Sequence, residues 1–329
     1  MSVVVVAGGL GDMGRLITQA LCDTGKHEVY IMSRQKLPLS GSGRRSPLTS
    51  KQYQPFIQTD YSNQADLTSL LEQYHIDTVI CAFSLDFESA SLAQLTLIRA
   101  AEAAASVKRF IPSEFNVDYD LPDSILPYPD KRLHTVARRE LEKTTLEFSY
   151  VYCGLFMDYF AMPYIRGDTR ALYLVLDAAN RVALIPGDGE RPMAVSHTHD
   201  VASYLALAVG LDSWPRVMTV VAGSLSCNEL AALAEMHLDT PLHVTYQPVS
   251  SLLAHENATL PGNVAIAAHF PGGLDQVKAL TADLETSIAL GAYDFKDLGD
   301  HLDLVARFSE QRQPIRIEEF LKRAFERQK

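Results

Sequence analysis

The chain has 329 residues, 47% of them hydrophobic, which suffices for one large domain or two of ordinary size with a sizeable core. Its net charge of −11 disfavours non-specific nucleic-acid binding, which needs basic surface to displace counterions, so no nucleic-acid partner is expected. No stretch approaches the roughly eighteen uninterrupted apolar residues of a membrane span and the opening apolar run has no basic leader, so a soluble cytoplasmic protein is expected.

The first element is an apolar strand over Val3 to Ala7 that runs into glycines at 8, 11 and 14 and then into a helix, RLITQALCDTG. Gly8 permits a tight turn, Gly11 lets backbone approach a phosphate, and Gly14 lets the helix pack close to the strand. Gly9, Leu10, Asp12 and Met13 complete the turn. A strand, a glycine turn and a helix N-terminus in this order place N–H groups and a helix dipole against a pyrophosphate, so a dinucleotide is expected here.

A second strand, Glu28 to Ser33, ends at Arg34, where an NAD-binding protein usually carries an acid. From Val29 to Thr59 there is no Asp or Glu, yet Arg34, Lys36, Arg44, Arg45 and Lys51 lie there in an acidic protein. The functional reading is a clamp for the 2′-phosphate of NADP(H) at Arg34 and Lys36; a solvated basic loop is the plainer alternative. One or two charge-assisted contacts would favour NADPH over NADH by roughly ten- to several-hundred-fold. Asp60, after a third strand at Phe56 to Thr59, is a candidate for the adenine end.

Further strand-like runs follow at Thr78 to Phe83, Arg109 to Pro112 and Phe148 to Cys153, with helical patterns between most of them. This alternation predicts an α/β fold, a Rossmann-type doubly wound parallel sheet with right-handed crossovers. Ser84 after the fourth strand, and Ser113 and Phe115 after the fifth, stand at the sheet's C-terminal edge and are assigned to the cofactor. In the helical segment DKRLHTVARRELEK, Asp130 is the expected N-cap, with Leu133, Val136, Ala137 and Leu141 as the buried stripe and Lys131 and His134 on one side. A triad of Ser113, Tyr128 and Lys131 is poorly spaced, because Tyr128 and Lys131 stand three apart with a proline between them.

Past residue 156 the pattern breaks into short strands at Tyr173 to Ala178 and Val182 to Pro186, followed by a loop, PGDGER. Asp200 is expected to open an alanine-rich helix, Val217 to Val221 to rejoin the sheet, and Ser226 to cap a helix over Cys227 to Leu238. The expected division is a nucleotide domain at 1–156 plus about 194–222, and a smaller α+β substrate domain at 157–193 plus about 223–329. His197-Thr-His199-Asp200 has a metal-like look, but alternate histidines before a capping Asp explain it more simply. Cys22, Cys81, Cys153 and Cys227 form no CxxC and read as reduced thiols, so no metal is expected. Phe156, Met157, Tyr159 and Phe160 follow the sixth strand and are candidate substrate contacts or inter-domain core; His269 is a weaker pocket candidate.

The motifs GGLGDMG, SRQ after the second strand, RFIPSEFNVDYD after the fifth, FSYVYCGLFMDYF at the sixth and the closing RIEEFLKRAF resemble the isoflavone reductase-like, NmrA-like family. This atypical short-chain dehydrogenase group includes plant phenylcoumaran benzylic ether and pinoresinol-lariciresinol reductases, and the chain looks like a fungal-type member. The resemblance implies NADPH-dependent reduction of an aromatic or conjugated small molecule, such as an enone, ketone or benzylic ether, in a cleft between two domains. It also implies a catalytic lysine fourteen residues before the aromatic that opens the (Y/F)xYV pattern. Counting back from Phe148 reaches His134 instead, and the nearest lysine is Lys131, so both stay open as the proton-handling group. With His134 as the acid, kcat/KM for reduction is expected to fall above roughly pH 6.5 to 7.5. Two other functions fit the same scaffold: a non-catalytic NADP-binding redox sensor, and a non-redox cyclase or dehydratase. A homodimer is one assembly the chain leaves open.

Overall fold

The computed structural model describes residues 1–35, 43–165 and 169–326. The principal sheet is built from β1 (Val3–Ala7), β2 (Glu28–Ser33), β3 (Phe56–Gln58), β4 (Thr78–Cys81), β5 (Arg109–Ile111) and β6 (Glu147–Phe148). Their order in space is β3-β2-β1-β4-β5-β6 and every pair is parallel, with Val4 beside Val29 on one flank and Thr78 on the other. Order reverses between β1 and β4, and in an open α/β sheet the crevice outside that point is where ligands bind. β1 is central and buried on both faces, which is why it reads as an unbroken apolar run rather than an alternating one.

Helices α1 (Asp12–Asp23), α2 (Gln64–Gln73), α3 (Glu88–Ala103) and α4 (Lys131–Leu141) make the crossovers, and α5 (Thr198–Ala208) returns to the sheet from later in the chain. Leu16, Ile17 and Leu21 of α1 join Val201, Leu205 and Met218 in one core layer. On the other face Leu67 and Leu71 of α2, Leu97 and Ile98 of α3, and Ala137 and Leu141 of α4 pack with Val5, Val79 and Phe110. A third core, with Phe160, Ile185, Leu230 and Phe325, holds the smaller lobe.

Several local expectations are altered. The run Phe148 to Cys153 is two strands: β6 pairs with β5, and β7 (Tyr150–Tyr152) pairs with Phe115–Asn116 and with Val217–Thr219. In the segment 173–178 only Leu176–Asp177 pairs, because Val175 adopts φ +64°, which a β-branched residue rarely takes. Helix α5 starts at Thr198, not Asp200; the Asp200 carboxylate instead accepts from Arg312 Nη2 (2.7 Å) and the Ile315 amide (2.8 Å). Asp130 makes no side-chain cap, and Val136 is 41% exposed while His134 takes the inward position. Ser226 does cap its helix, reciprocally with Glu229. The lobes also interleave more finely than expected: Val117, Tyr119 and Leu126 belong to the smaller lobe's core, and Leu304 and Phe308 to the nucleotide lobe's.

Candidate functional site

The glycine turn is tightly constrained. Gly8 has φ +78°, and a Cβ on Gly14 would stand 2.1 Å from the Gly8 carbonyl oxygen, so α1 can approach β1 only without that atom. Gly9 faces away from the crevice, where its Cβ would meet the Val6 carbonyl and Ile31, and so supports the turn from behind. Two cavities open along the sheet edge. The smaller, about 250 Å³, is lined by Gly8, Leu10, Gly11, Ser33, Arg34 and Tyr61. The larger, about 550 Å³, runs from Gly11, Asp12 and Met13 past Ser84, Ser113 and Phe115 to Phe156, Tyr159 and Phe270.

His134 lies on the wall of the larger cleft. Its ring stacks on Tyr119 with centroids 3.7 Å apart and planes 7° from parallel. Nδ1 is 3.2 Å from the Ser113 carbonyl oxygen, an acceptor only, so Nδ1 carries the proton and Nε2 keeps a lone pair. Burial pushes the imidazole down to about 3, outweighing the Ser113 hydrogen bond, so the ring is neutral near pH 7. A fall in activity above roughly pH 6.5 to 7.5 is what a charged acid would give; a neutral ring with a free Nε2 lone pair is instead an acceptor in that range.

Ser113 is itself fully engaged. Its N–H donates to Gln94 Oε1 (2.8 Å), its hydroxyl to the Phe83 carbonyl (2.7 Å), and its carbonyl receives His134. Next to it Glu114 is completely buried, its Oε2 accepting from Arg138 Nε (2.8 Å) and Nη2 (2.7 Å). Burial raises the Glu114 carboxyl to about 7 despite the guanidinium. Arg138 also donates to Asp118, Asp120 and the Tyr152 hydroxyl, and lies 4.4 Å from the Tyr150 ring centre.

Other assignments separate. Lys131 turns away: its Nζ pairs with Asp123 (2.5 Å) and donates to the Leu121 carbonyl (2.9 Å), outside the residues lining the cleft, so neither it nor the Ser113–Tyr128–Lys131 triad is assembled there. Asp60 is exposed and accepts from the Ser62 amide and hydroxyl, so it does not line the smaller cavity; Tyr61 lines it instead, its hydroxyl donating to the Met32 carbonyl (2.7 Å) beside the Gly8 amide. Met157 and Phe160 are buried in the smaller lobe's core, leaving Phe156 and Tyr159 in the cleft. His269 is exposed, and its neighbour Phe270 lines the wall instead. Arg34 faces the smaller cavity, whereas Arg44 donates to Cys22 Sγ (2.6 Å) and Arg45 to the Ser50 carbonyl (3.0 Å); Lys36 lies outside the described residues. Among the described residues no His, Cys, Asp or Glu cluster suits a metal, and no helix is long and apolar enough to cross a membrane. Sequence reasoning missed Asn116, Tyr119, Asp86, Arg170 and Tyr293 on the cleft wall; of these only Asn116 and Tyr119, within RFIPSEFNVDYD, carried a local signal.

The topology, the glycine turn and the two-part crevice define a two-lobed protein of the doubly wound α/β class. Residues 1–289 match the NmrA-like family, and the chain belongs to it. It is 32% identical to Oxidoreductase BOA1 of Botryotinia fuckeliana over 70% of this chain and 74% of that one. It is 29% identical to the bifunctional pinoresinol-lariciresinol reductase of Linum corymbulosum over 77% and 80%. The structure of AtPrR2 with NADP+ and (+)pinoresinol superposes with a TM-score of 0.72 at 20% identity, covering 98% of each chain.

Proposed function

We propose that this protein is an NADPH-dependent reductase of an aromatic or conjugated small molecule. The observation that carries the reading is His134, neutral and with its Nδ1 proton tied to Ser113, in a cleft continuous with the glycine turn. The relatives named oxidoreductase and reductase, and the NADP+ in the similar structure, support the cofactor and the reaction class.

The residues present fit a nicotinamide dinucleotide. The positive φ of Gly8 and the missing Cβ of Gly14 let the turn close tightly against α1, Gly8 and Gly11 line the smaller cavity, Arg34 faces it where a 2′-phosphate needs a cation, and Tyr61 walls it. When bound, the cofactor supplies a hydride. The protein's own part is to hold the substrate: Phe156, Tyr159 and Phe270 offer flat apolar surface on the cleft wall. His134 Nε2, which keeps its lone pair, accepts a hydrogen bond from a substrate hydroxyl and orients that group in the cleft. Ser113, with all three polar groups engaged, positions His134 and does not itself exchange protons.

Following the loss of NADPH absorbance with a panel of aromatic enones, ketones and benzylic ethers tests this. Turnover is expected in the unaltered chain, and His134→Ala should lower kcat about a hundredfold or more. Tight NADPH binding without oxidation by any compound would overturn the reductase and favour a redox-sensing regulator.

A further inference from the structure

Where the glycine turn meets the smaller lobe, the cleft wall is acidic. Asp12 is the first residue of α1, and Asp86, after β4, receives the Ser84 hydroxyl on its Oδ2 at 2.8 Å. Carboxylates beside a diphosphate repel it, and within a cleft of low dielectric that repulsion is larger than in water. The turn therefore needs a cation to make anion binding favourable. Arg34 is in the other cavity, and the one permanent cation among the described residues lining this cleft is Arg170, which arrives from the smaller lobe.

Its position is fixed from three directions. The Arg170 backbone N–H donates to Asp12 Oδ2 at 2.7 Å, its Nη2 donates to Asp86 Oδ2 at 2.9 Å, and its guanidinium carbon lies 4.6 Å from the centre of the Phe270 ring. A guanidinium carries five N–H donors in a planar fork. Asp86 takes one of them, and the side chain is 41% exposed, so the fork presents donors to the cleft. A latch between the lobes would use the same ion pair, but it would not need the backbone amide anchored on the first residue of the phosphate helix.

We propose that Arg170 is a binding residue for the dinucleotide's diphosphate, a cation that the smaller lobe delivers to the turn at Gly11 to Met13 and that offsets Asp12 and Asp86. This rests on the reading that NADP(H) occupies the turn. It makes cofactor binding a property of both lobes, since the contributing residue lies 158 positions from Asp12 in the chain.

Equilibrium binding separates the possibilities without any turnover. NADPH and adenosine 2′-monophosphate, which carries the 2′-phosphate but no diphosphate, are titrated into the full chain and its Arg170→Ala, Arg170→Gln and Arg170→Lys variants. The neutral variants are expected to weaken NADPH about 10- to 100-fold, with lysine recovering part of the loss and the gap shrinking at high salt. Adenosine 2′-monophosphate should change less than about twofold, because a charge-assisted contact absent from the ligand costs nothing when removed. Unchanged NADPH affinity in both neutral variants overturns the proposal, as does an equal loss for both ligands. An effect confined to KM for an anionic substrate overturns it too and assigns Arg170 to that substrate. If the unaltered chain binds no NADPH at all, the proposed function itself falls.

Discussion

A histidine that gives its Nδ1 proton to a buried carbonyl is chemically different from one in water, and His134 shows the consequence. Taking its pKa from the ordinary 6.5 to about 3 means that the unfolded chain binds a proton the native chain refuses anywhere between those values. The stabilisation is complete above about pH 6.5 and is lost as pH falls, by roughly 1.4 kcal/mol per unit. Chemical denaturation between pH 4.5 and 7 should therefore show an acid-side decline that is shallower in His134→Asn. For the same reason kcat/KM should carry no inflection from this ring between pH 5.5 and 8.5; an inflection that disappears in His134→Asn would restore the acid role. The residue's place was legible in the chain, counted back from FSYV. Its protonation was not, because that depends on Ser113 and Tyr119, which approach only through the fold.

At the scale of elements, α4 acts as a clamp on the chain leaving β5. His134 and Arg138, one turn apart, hold the Ser113 carbonyl and the Glu114 carboxylate respectively, and Ser91 of α3 ties the helix in place through the Leu133 carbonyl at 2.9 Å. Arg138 is 1% exposed and serves Glu114, Asp118 and Asp120 together. Arg138→Met leaves the Glu114 carboxyl buried without a partner and should cost about 3–5 kcal/mol. Glu114→Gln keeps an oxygen to accept from the guanidinium and removes a carboxyl that burial already raises to about 7, so its cost should stay near 1.5 kcal/mol or below. Urea unfolding of both variants decides it, and equal losses would count against an arginine-centred clamp. The pattern reading of α4 placed the helix correctly but assigned Val136 inward and missed Arg138, because a buried, fully paired arginine is indistinguishable in sequence from a solvated one.

The whole molecule divides less cleanly than its sequence. Parallel strands and the glycine turn were legible because each is local: an apolar run, a small residue, a helix stripe. The lobe boundary depends on distant returns: that of α5 was legible in the pattern at 194–222, but no local pattern signals that Leu304 comes back to the sheet or that the largely exposed strand His243–Gln247 pairs with Val182–Pro186. The segment after Leu302 stitches both lobes: Leu304 and Phe308 pack under the nucleotide sheet, while Ile317, Phe320, Leu321 and Phe325 fill the smaller lobe's core. Each such side chain is worth about 1.5–3 kcal/mol when buried. Together these six reach the scale of a typical domain's entire stability, about 5–15 kcal/mol. A chain ending at Gly299 should therefore lose cooperative thermal unfolding and NADPH binding together, although the glycine turn and Arg34 lie in its first 35 residues. Retained binding with a single sharp transition would show instead that the nucleotide lobe stands alone, and the arginine bridge from Arg170 would then have to act across a looser joint.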